Sequence, residues 1–532
     1  MQPLSSWWRR LGTCGPGGPA RRSRKTAPIE NDGDVMSILL IDKAQQYAER
    51  LAIVAPEGSF SYRQLLEASG RVASWLLNGT ADLEEQPVAF LAPPGFQYVA
   101  LQWGIWRAGG IAVPLSLFHP RPELEYVIED VTPAAVVVHP DLADRVEPIA
   151  KERRLRFGLS TDTLDHPPGP LPGVAPRRRA LILYTSGTTG KPKGVVTSHG
   201  NIDAQIASLV EAWEWTRDDR ILEVLPLHHI HGIVNVIACA LSVGAVCEIF
   251  PAFNAQKVWD RIAQGGLTLF MAVPTIYVKL IEAWEKAAPI EQKRMSEGCR
   301  LIRLMVSGSA ALPVPTLERW QEISGHVLLE RYGMTEIGMG LSNSLHGKRF
   351  PGCVGTPLPG VEARLTELGE PVPAGTPGEI EIRGPGVFLE YWKKPEETQK
   401  AFRDGWFLTG DVAVEENGIY RILGRSSVDI IKTGGYKVSA LEIEATLLSH
   451  PDINEVAVVG VPDPVWGERV VAAVVLRVGA SLDTKSLRAW GKERLATYKV
   501  PQEVIILQEV PRNAMGKTSK PDLKKIIQGA PG

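Results

Sequence analysis

The chain has 532 residues, of which 44% are hydrophobic and 22% charged, and its formal net charge is −2. This length favours two or more domains, and the composition is that of a soluble globular protein. The cysteines at positions 14, 239, 247, 299 and 353 form no Cys-x-x-Cys pair, which argues for a reducing compartment and against a zinc site.

The first thirty residues are basic and contain no acidic side chain before Glu30. Their six positive charges are Arg9, Arg10, Arg21, Arg22, Arg24 and Lys25. Such an amino terminus is typical of an organellar transit peptide, so residues 1–29 are predicted to address the protein to the mitochondrial matrix, with a basic tail that binds nothing as the alternative. Without these residues the net charge falls from −2 to about −8, which disfavours a nucleic-acid partner.

Helical patterns alternate with short β-rich runs from residue 36 to about 420. Residues 37–49 and 61–77 have helical periodicity, whereas 87–91 and 134–139 are apolar runs typical of buried strands. This alternation predicts an α/β fold with buried sheets. The most apolar stretch, 232–247, is shorter than a membrane span and is predicted to be a core helix that runs into a strand.

A glycine-rich segment, YTSGTTGKPKG at 184–194, follows a predicted strand at 180–184. Glycines let backbone N–H groups approach an anion, hydroxyls donate hydrogen bonds, and Lys191 and Lys193 supply positive charge, so this segment is predicted to bind a polyphosphate. It is not the common phosphate loop, whose glycines are further apart and whose lysine precedes Ser or Thr. A flexible surface loop is the alternative.

Two further breaks divide the carboxyl-terminal part of the chain. Glycines and prolines punctuate 352–378, and short strands at 361–365 and 379–383 predict a small β subdomain. After Gly424 and Arg425, strand-like runs at 456–461, 470–476 and 503–507 and a helical run at 486–495 predict an α+β unit. The predicted domains are therefore a large one at 30–424 and a small one at 425–532.

Five motifs occur in order: YTSGTTGKPKG, ERYGMTE (330–336), GWFLTGD (405–411), GR (424–425) and PRNAMGK (511–517). With them the chain, from about residue 40 to its end, resembles the adenylate-forming acyl-CoA synthetases, a superfamily that includes luciferases and nonribosomal peptide adenylation domains. Within it, LIRLMVSGSAALP and ERYGMTEIGM look most like malonyl-CoA synthetases, including mitochondrial ones. The resemblance implies that ATP converts a carboxylate to an acyl-adenylate, from which coenzyme A then displaces AMP.

The resemblance also implies the residues of the first half-reaction. The ATP site would contain Thr185, Ser186, Gly187, Thr188, Thr189, Gly190, Lys191, Tyr332, Gly333, Asp411, Arg425 and Lys517. Thr335 would donate to the α-phosphate, and Glu336 would hold Mg²⁺, a hard ion suited to carboxylate oxygen. Asp411 would accept the ribose hydroxyls, and Lys517 would stabilise charge on the α-phosphate and carboxylate oxygens. Without the resemblance, 335–336 could be a capping threonine and a surface glutamate, and 410–411 a simple turn.

For the second half-reaction the resemblance implies that the small domain rotates and withdraws Lys517. Gly434 and Gly435 would then line a tunnel for the pantetheine chain of coenzyme A, since glycine lets a backbone lie close to a ligand. Family members commonly have GR-x-(Lys/Asp)-Asp at the domain junction. Residues 425–429 are RSSVD, one residue longer, so the hinge is either Ser427 or Val428.

The acyl pocket is predicted to contain Arg303, His229 and Met334. A lone arginine in the apolar run LIRLMVSG needs an anion, and the resemblance to malonyl-CoA synthetases supplies the distal carboxylate of a diacid; an internal salt bridge is the alternative. His229, in PLHHIHG, is predicted to close on the carboxylate, with structural packing as the alternative.

The predicted activity is an ATP-dependent ligation of malonate or methylmalonate to coenzyme A. A medium- or long-chain fatty acyl ligase is the second candidate, because only the pocket distinguishes the two. A peptide-synthetase adenylation protein is disfavoured because the sequence ends soon after Lys517 without a carrier domain. A nonenzymatic ATP-binding module is disfavoured because it would not retain Glu336 and Lys517.

Overall fold

The computed structural model describes residues 37–185, 192–434, 436–512 and 518–529. The predicted transit peptide lies outside these ranges, as do Gly435 and Lys517. The helices of the described ranges are α1 (Leu39–Gln45), α2 (Tyr62–Leu77), α3 (Phe96–Arg107), α4 (Arg121–Val131), α5 (Ala143–Glu152), α6 (Ser160–Asp165), α7 (His199–Trp213), α8 (Cys239–Ser242), α9 (Ala255–Ala263), α10 (Pro274–Lys286), α11 (Pro289–Arg300), α12 (Val314–Ser324), α13 (Pro395–Lys400), α14 (Ala440–Leu448), α15 (Thr484–Lys492) and α16 (Lys520–Ile527).

The strands form four sheets. In chain order they are β1 (Leu51–Ala55), β2 (Gly58–Ser61), β3 (Pro87–Leu91), β4 (Ile111–Pro114), β5 (Ala135–Val138), β6 (Arg156–Leu159), β7 (Arg179–Thr185), β8 (Lys193–Ser198), β9 (Arg220–Glu223), β10 (Val246–Ile249), β11 (Leu269–Ala272), β12 (Leu304–Ser307), β13 (Leu329–Met334) and β14 (Gly338–Ser342). They continue as β15 (Thr356–Pro357), β16 (Glu362–Glu367), β17 (Glu370–Pro371), β18 (Gly378–Arg383), β19 (Glu390–Tyr391), β20 (Phe402–Arg403), β21 (Trp406–Glu416), β22 (Ile419–Arg425), β23 (Ile430–Thr433), β24 (Tyr436–Ser439), β25 (Ile453–Asp463), β26 (Gly467–Leu476) and β27 (Glu503–Ile506). Within the described ranges these strands form four sheets.

The largest sheet has the strand order β15-β14-β13-β12-β11-β9-β10-β1-β2. Neighbouring strands run parallel from β13 to β1, whereas β14, β15 and β2 are added antiparallel at the edges. Central strands such as β11 and β12 are wholly buried, as expected for parallel strands covered by helices on both faces. Their carboxyl ends meet at one edge of the sheet, where the turn between β13 and β14 lies.

The second sheet has the order β19-β8-β7-β4-β3-β5-β6 and is parallel from β7 to β6. β8 returns antiparallel to β7, and β19 joins the free edge of β8 although it comes much later in the chain. β19 therefore brings residues near position 390 beside the strand that follows the glycine-rich segment.

Two smaller sheets complete the fold. One is antiparallel, with the order β17-β16-β18-β21-β20 and β22 paired to β21. The other has the order β24-β23-β26-β25, with β27 parallel to β26. Helix α14 packs against β25 beside an apolar core of its own. The α/β fold class with a small β subdomain and an α+β carboxyl-terminal unit is thus confirmed.

Helix α7 begins directly after β8 because Ser198 caps it. The Ser198 hydroxyl accepts a hydrogen bond from the Asn201 N–H at 3.1 Å, and the Asn201 side chain accepts one from the Ser198 N–H at 2.9 Å. Caps of this kind stabilise a helix by about 1 kcal/mol. The reciprocal cap fixes the direction in which the chain leaves the sheet behind the glycine-rich segment.

The apolar stretch 232–247 is a buried helix that runs into a strand, as predicted. A π-helical segment, His231–Ala238, continues into α8, and β10 follows. In the part of the chain that is described, no helix is long and apolar enough to cross a membrane. Short π-helical segments often mark functional sites, and this one begins at a buried histidine.

Candidate active site

The glycine-rich segment connects two paired strands. Thr185, at the end of β7, and Lys193, at the start of β8, are register partners in an antiparallel ladder. Between them, residues predicted to bind phosphate fall outside the described residues: Ser186, Gly187, Thr188, Thr189, Gly190 and Lys191. Because β7 is parallel to β4, Thr185 lies at a carboxyl-terminal sheet edge, where open α/β sheets bind their ligands.

The turn between β13 and β14 carries Thr335 and Glu336. It is tight, because a Cβ atom on Gly333 would lie 2.1 Å from the carbonyl oxygen of Gly338, so only glycine permits this approach. Thr335 is half-buried and Glu336 is 7% exposed, while Met334 packs against the core of the small antiparallel sheet. The motif ERYGMTE therefore ends in a rigid turn at the edge of the largest sheet.

Glu336 is the candidate ligand for Mg²⁺. The Tyr391 hydroxyl donates to its Oε1 at 3.0 Å, and the Phe388 N–H donates to its backbone carbonyl at 2.8 Å. Burial raises the pKa of Glu336, and the Tyr391 hydrogen bond opposes that rise. Across the described ranges, no group of three His, Cys, Asp or Glu side chains could hold a metal by itself. One buried carboxylate fits Mg²⁺, which commonly takes its other ligands from phosphates and water.

Tyr332, Asp411 and Arg425 come together from two sheets. The Tyr332 hydroxyl donates to Asp411 Oδ2 at 2.6 Å, and Arg425 Nε lies 2.9 Å from Asp411 Oδ1. Asp411 and Arg425 are register partners of β21 and β22, which explains their pairing. Burial raises the pKa of Asp411, and the Arg425 charge counteracts it. Each carboxylate oxygen can accept more than one hydrogen bond, so the group retains acceptor capacity for hydroxyls.

The histidines of PLHHIHG follow β9 closely in the chain. The rings of His228 and His229 are 4.1 Å apart, and both residues are half-buried. Burial, followed by the neighbouring His229 and His119, lowers the pKa of His228 to about 3. His231 is 4% exposed, and burial together with Arg331 lowers its pKa well below the ordinary value. His228 and His231 are therefore neutral at physiological pH.

The inference that Arg303 lacks a protein partner is wrong. Its Nε and Nη2 donate to the two carboxylate oxygens of Asp219 at 2.8 and 2.7 Å, and further hydrogen bonds reach the carbonyls of Trp213 and Glu214. Arg303 also precedes β12, which begins at Leu304, so its side chain is 31% exposed. This is the internal salt bridge that the sequence left as the alternative.

Arg331 is instead the arginine in an unusual environment. It lies on β13, is 4% exposed, and forms no salt bridge with any carboxylate in the described ranges. Its Nη2 is 3.3 Å from the Ser309 hydroxyl, whereas its buried Nε has no hydrogen-bond partner among the described residues. Burial lowers the pKa of Arg331 to about 9, so it is still charged at neutral pH. No site role was predicted for Arg331 from the sequence.

Ser309 connects Arg331 to His231. Its hydroxyl is 3.3 Å from His231 Nδ1 as well as from Arg331 Nη2. Ser309 has a φ of +67°, a left-handed conformation that non-glycine residues rarely adopt and that is often found at functional sites. The neighbouring Gly308 makes room for the guanidinium, because a Cβ atom there would lie 2.4 Å from Arg331 Nε.

The cluster of Arg331, Ser309 and His231 presents hydrogen-bond donors. If Arg331 donates to Ser309 and Ser309 donates to His231 Nδ1, the neutral ring carries its proton on Nε2. His231 Nε2 is buried and has no acceptor in the described part of the chain, like Arg331 Nε. Two buried donors without acceptors, one of them cationic, favour an anionic ligand.

The carboxyl-terminal unit carries the remaining predicted residues. Gly434 has a φ of +55° in the turn between β23 and β24, and its N–H donates to the Trp466 carbonyl at 2.9 Å. Gly435 and Lys517 fall outside the described ranges. At the junction, the Ser426 N–H donates to the Gly410 carbonyl at 2.9 Å.

Asp429, at the other end of the junction, is held on both sides. It accepts from the Arg425 N–H at 2.9 Å and pairs with buried Lys520 at 2.5 Å. Ser427 and Val428 lie between these fixed ends, so both remain candidates for the hinge.

Two family models match the chain. The AMP-binding enzyme model matches residues 40–392, and the AMP-binding enzyme C-terminal domain model matches residues 442–517. Among curated proteins, malonate–CoA ligase ACSF3, mitochondrial, of Bos taurus is 45% identical, over 99% of this chain and 96% of that protein. The protein of the same name from Mus musculus is 46% identical, over 94% of this chain and 92% of its own length.

Solved structures agree with this result. ATP-bound MatB from Rhodopseudomonas palustris superposes with a TM-score of 0.85 at 35% identity, covering 92% of this chain and 99% of that one. The similarity spans both the α/β part and the carboxyl-terminal unit, because nearly the whole of each chain is aligned.

Proposed function

The chain belongs to the family of AMP-binding enzymes, and we propose that it ligates malonate to coenzyme A with cleavage of ATP to AMP and pyrophosphate. It is an ATP-dependent acid–thiol ligase in which a carboxylate oxygen attacks the α-phosphorus and pyrophosphate leaves. The thiol sulfur of coenzyme A then bonds to the acyl carbon, its proton is lost, and AMP leaves. Methylmalonate, which has the same two carboxylates, is the related substrate.

The observation that carries the substrate proposal is the cluster of Arg331, Ser309 and His231. Malonate has one carboxylate to be adenylated and a second that must be desolvated in the pocket. Arg331 Nε and His231 Nε2 are buried donors without protein acceptors in the described ranges, and the second carboxylate of malonate would be the anion that this cluster binds. A fatty acid would leave the guanidinium buried and unpaired, which disfavours apolar acids.

The residues of the first half-reaction follow from the geometry of the turn and the ribose cluster. Thr335 would donate to the α-phosphate from the turn that also holds Glu336, and Asp411 with Arg425 would bind the ribose hydroxyls. Mg²⁺ bound by Glu336 would neutralise charge on the triphosphate. Lys517 would enter the site and stabilise charge on the oxygens of the α-phosphate and the carboxylate.

The second half-reaction would use a different position of the carboxyl-terminal unit. Rotation about Ser427 or Val428 would withdraw Lys517 and bring Gly434 and Gly435 to the pantetheine chain. The absence of a side chain at Gly434 supports this proposal, because glycine lets a backbone approach a ligand closely.

A panel of acids tests the proposed function. The full chain, with ATP, Mg²⁺ and coenzyme A, should give its highest kcat/KM with malonate or methylmalonate and release one AMP for each thioester. Butyrate and palmitate serve as monoacid controls of short and long length. A higher kcat/KM for either monoacid would overturn the diacid assignment and favour a fatty acyl ligase.

Residues 1–29 are proposed to address the protein to the mitochondrial matrix. Their six basic side chains without an acid support this, and the two curated relatives described above carry mitochondrial in their names. A fluorescent fusion of the full chain should co-localise with a matrix marker and lose that pattern when residues 1–29 are removed. Cytosolic fluorescence of the full-length fusion would overturn the proposed mitochondrial targeting.

A further inference from the structure

Glu336 is held by a network that extends to the base of the glycine-rich segment. We propose that Tyr391 is a positioning residue, whose hydroxyl orients the Glu336 carboxylate for Mg²⁺ and whose ring joins that carboxylate to Lys193. The proposal rests on the proposed function in that Glu336 is taken as the Mg²⁺ ligand. It does not depend on which acid the enzyme uses.

The backbone first fixes where Tyr391 lies. Tyr391 ends β19 and is the register partner of Val195 in β8, so it stands beside the strand that begins at Lys193. Its N–H donates to the Thr398 hydroxyl at 2.9 Å, which attaches β19 to the first turn of α13. The side chain is 8% exposed, so the ring has little freedom to move.

Glu336 is held by the same short segment at two points. The Phe388 N–H donates to its backbone carbonyl at 2.8 Å, and the Tyr391 hydroxyl donates to Oε1 at 3.0 Å. The first bond fixes the turn, whereas the second fixes the rotation of the carboxylate. Mutation of an outer partner that orients a metal ligand in this way typically lowers metal affinity by about 10- to 100-fold.

Lys193 contacts the ring of Tyr391. Its ammonium lies 5.0 Å from the centre of the Tyr391 ring and pairs with Glu397 of α13. A cation over an aromatic face is attracted to the ring, more strongly when partly desolvated. Lys193 is the second described residue after the phosphate-binding part of the glycine-rich segment, so one tyrosine links that segment to the candidate metal ligand.

The variant Tyr391→Phe removes the hydroxyl and retains the ring. The full chain would be titrated with Mn²⁺ in the presence of a non-hydrolysable ATP analogue, with bound metal measured by electron paramagnetic resonance. The apparent Kd for Mn²⁺ should rise by about 10- to 100-fold. Thioester formation from the supplied adenylate of the acid preferred in the panel needs no triphosphate and should keep its wild-type rate.

Tyr420→Phe is the matched control. Tyr420 is also 8% exposed and belongs to the same apolar cluster, but its hydroxyl is 3.3 Å from the Ala363 carbonyl. Its variant should bind Mn²⁺ with the wild-type Kd. Equal Mn²⁺ affinity in the two variants would overturn the positioning role, and so would an equal loss in both half-reactions of Tyr391→Phe. Failure of the malonate proposal would appear in the acid panel instead, because the Mn²⁺ titration contains no acid.

Discussion

Replacing Arg331 by methionine should separate recognition of a diacid from stability of the fold. Methionine has a similar length and no charge, so it removes the buried cation without leaving a large cavity. Loss of a charge-assisted contact in a desolvated site is worth about 2–5 kcal/mol. The expected fall in kcat/KM for malonate is therefore about 30- to 5000-fold, since 1.4 kcal/mol is a factor of ten.

The same variant should not lose stability. The guanidinium of Arg331 is 4% exposed and has no carboxylate partner in the described ranges, so the folded protein gains little from its charge. Replacing a buried charge by a packed apolar side chain is often neutral or stabilising. The melting temperature should stay equal to that of the wild type or rise, while kcat/KM for butyrate should stay constant or increase.

Arg303→Met is the matched comparison, with the opposite pattern expected. It removes both hydrogen bonds from Arg303 to the carboxylate of Asp219, which is 3% exposed and, among the described residues, keeps bonds from Thr216 and Thr268. Breaking a buried pair costs about 3–5 kcal/mol, and partial exposure of the Arg303 side chain reduces this to about 2–3 kcal/mol. Stability should fall, with the malonate-to-butyrate ratio of kcat/KM unchanged.

The assay combines scanning fluorimetry with the ratio of kcat/KM for malonate to that for butyrate. The reasoning requires Arg331→Met to change the ratio at constant melting temperature and Arg303→Met to lower the melting temperature at constant ratio. If Arg303→Met instead abolishes the preference for malonate while Arg331→Met retains it, the assignment of the two arginines is reversed.

Two further predictions concern buried ionisable groups. Burial raises the pKa of Glu223 to about 8 from 4.5, so the folded protein keeps a proton that the unfolded chain loses. As the pH rises from 4.5 to 8, the free energy of unfolding should therefore fall by about 1.4 kcal/mol per pH unit. In Glu223→Gln, the melting temperature should fall less steeply between pH 5 and 8 than in the wild type. Identical slopes of melting temperature against pH would contradict this prediction. Lys520 pairs with Asp429 and Glu444 at 2.5 and 2.8 Å, so Lys520→Met should expose 430–529 to limited proteolysis. Proteolysis should be weaker at pH 5.5 than at pH 8, because burial raises the pKa of Glu444 and its protonation relieves the repulsion between the two carboxyl groups. Equal proteolysis of variant and wild type at pH 8 would contradict it.

The fold class could be predicted from the sequence because hydrophobic periodicity and apolar runs are patterns within short segments of the chain. Periodicity and apolar runs predicted the α/β class, the small β subdomain and the carboxyl-terminal unit, and the stretch 232–247 was correctly predicted as a helix leading into a strand. Boundaries were less accurate: the helix predicted at 37–49 is α1, and the one predicted at 486–495 is α15. Helix ends depend on caps and on neighbouring elements, which periodicity does not contain.

The partners of charged side chains could not be predicted from such short segments. Three strands, β9 to β11, and the helices that follow them lie between Asp219 and Arg303, so nothing near Arg303 in sequence reveals the salt bridge. The argument applied to Arg303 could also have been applied to Arg331, which lies on β13 beside buried Leu329. Tyr391 carried no such signal, because only the pairing of β19 with β8 brings it to Glu336.

The environments of other buried charged groups support a ligand at Arg331. Glu381 is fully buried and pairs with two arginines, and Glu248, 6% exposed, does the same. Glu223 has no arginine partner in the described part of the chain, but a carboxyl can become neutral by taking up a proton, as the rise of its pKa to about 8 implies. Arg331 cannot follow that route, because even a pKa lowered to about 9 leaves it charged at neutral pH. A buried cation that has no anionic partner among the described residues favours an anion from outside the chain, and the second carboxylate of malonate would supply one.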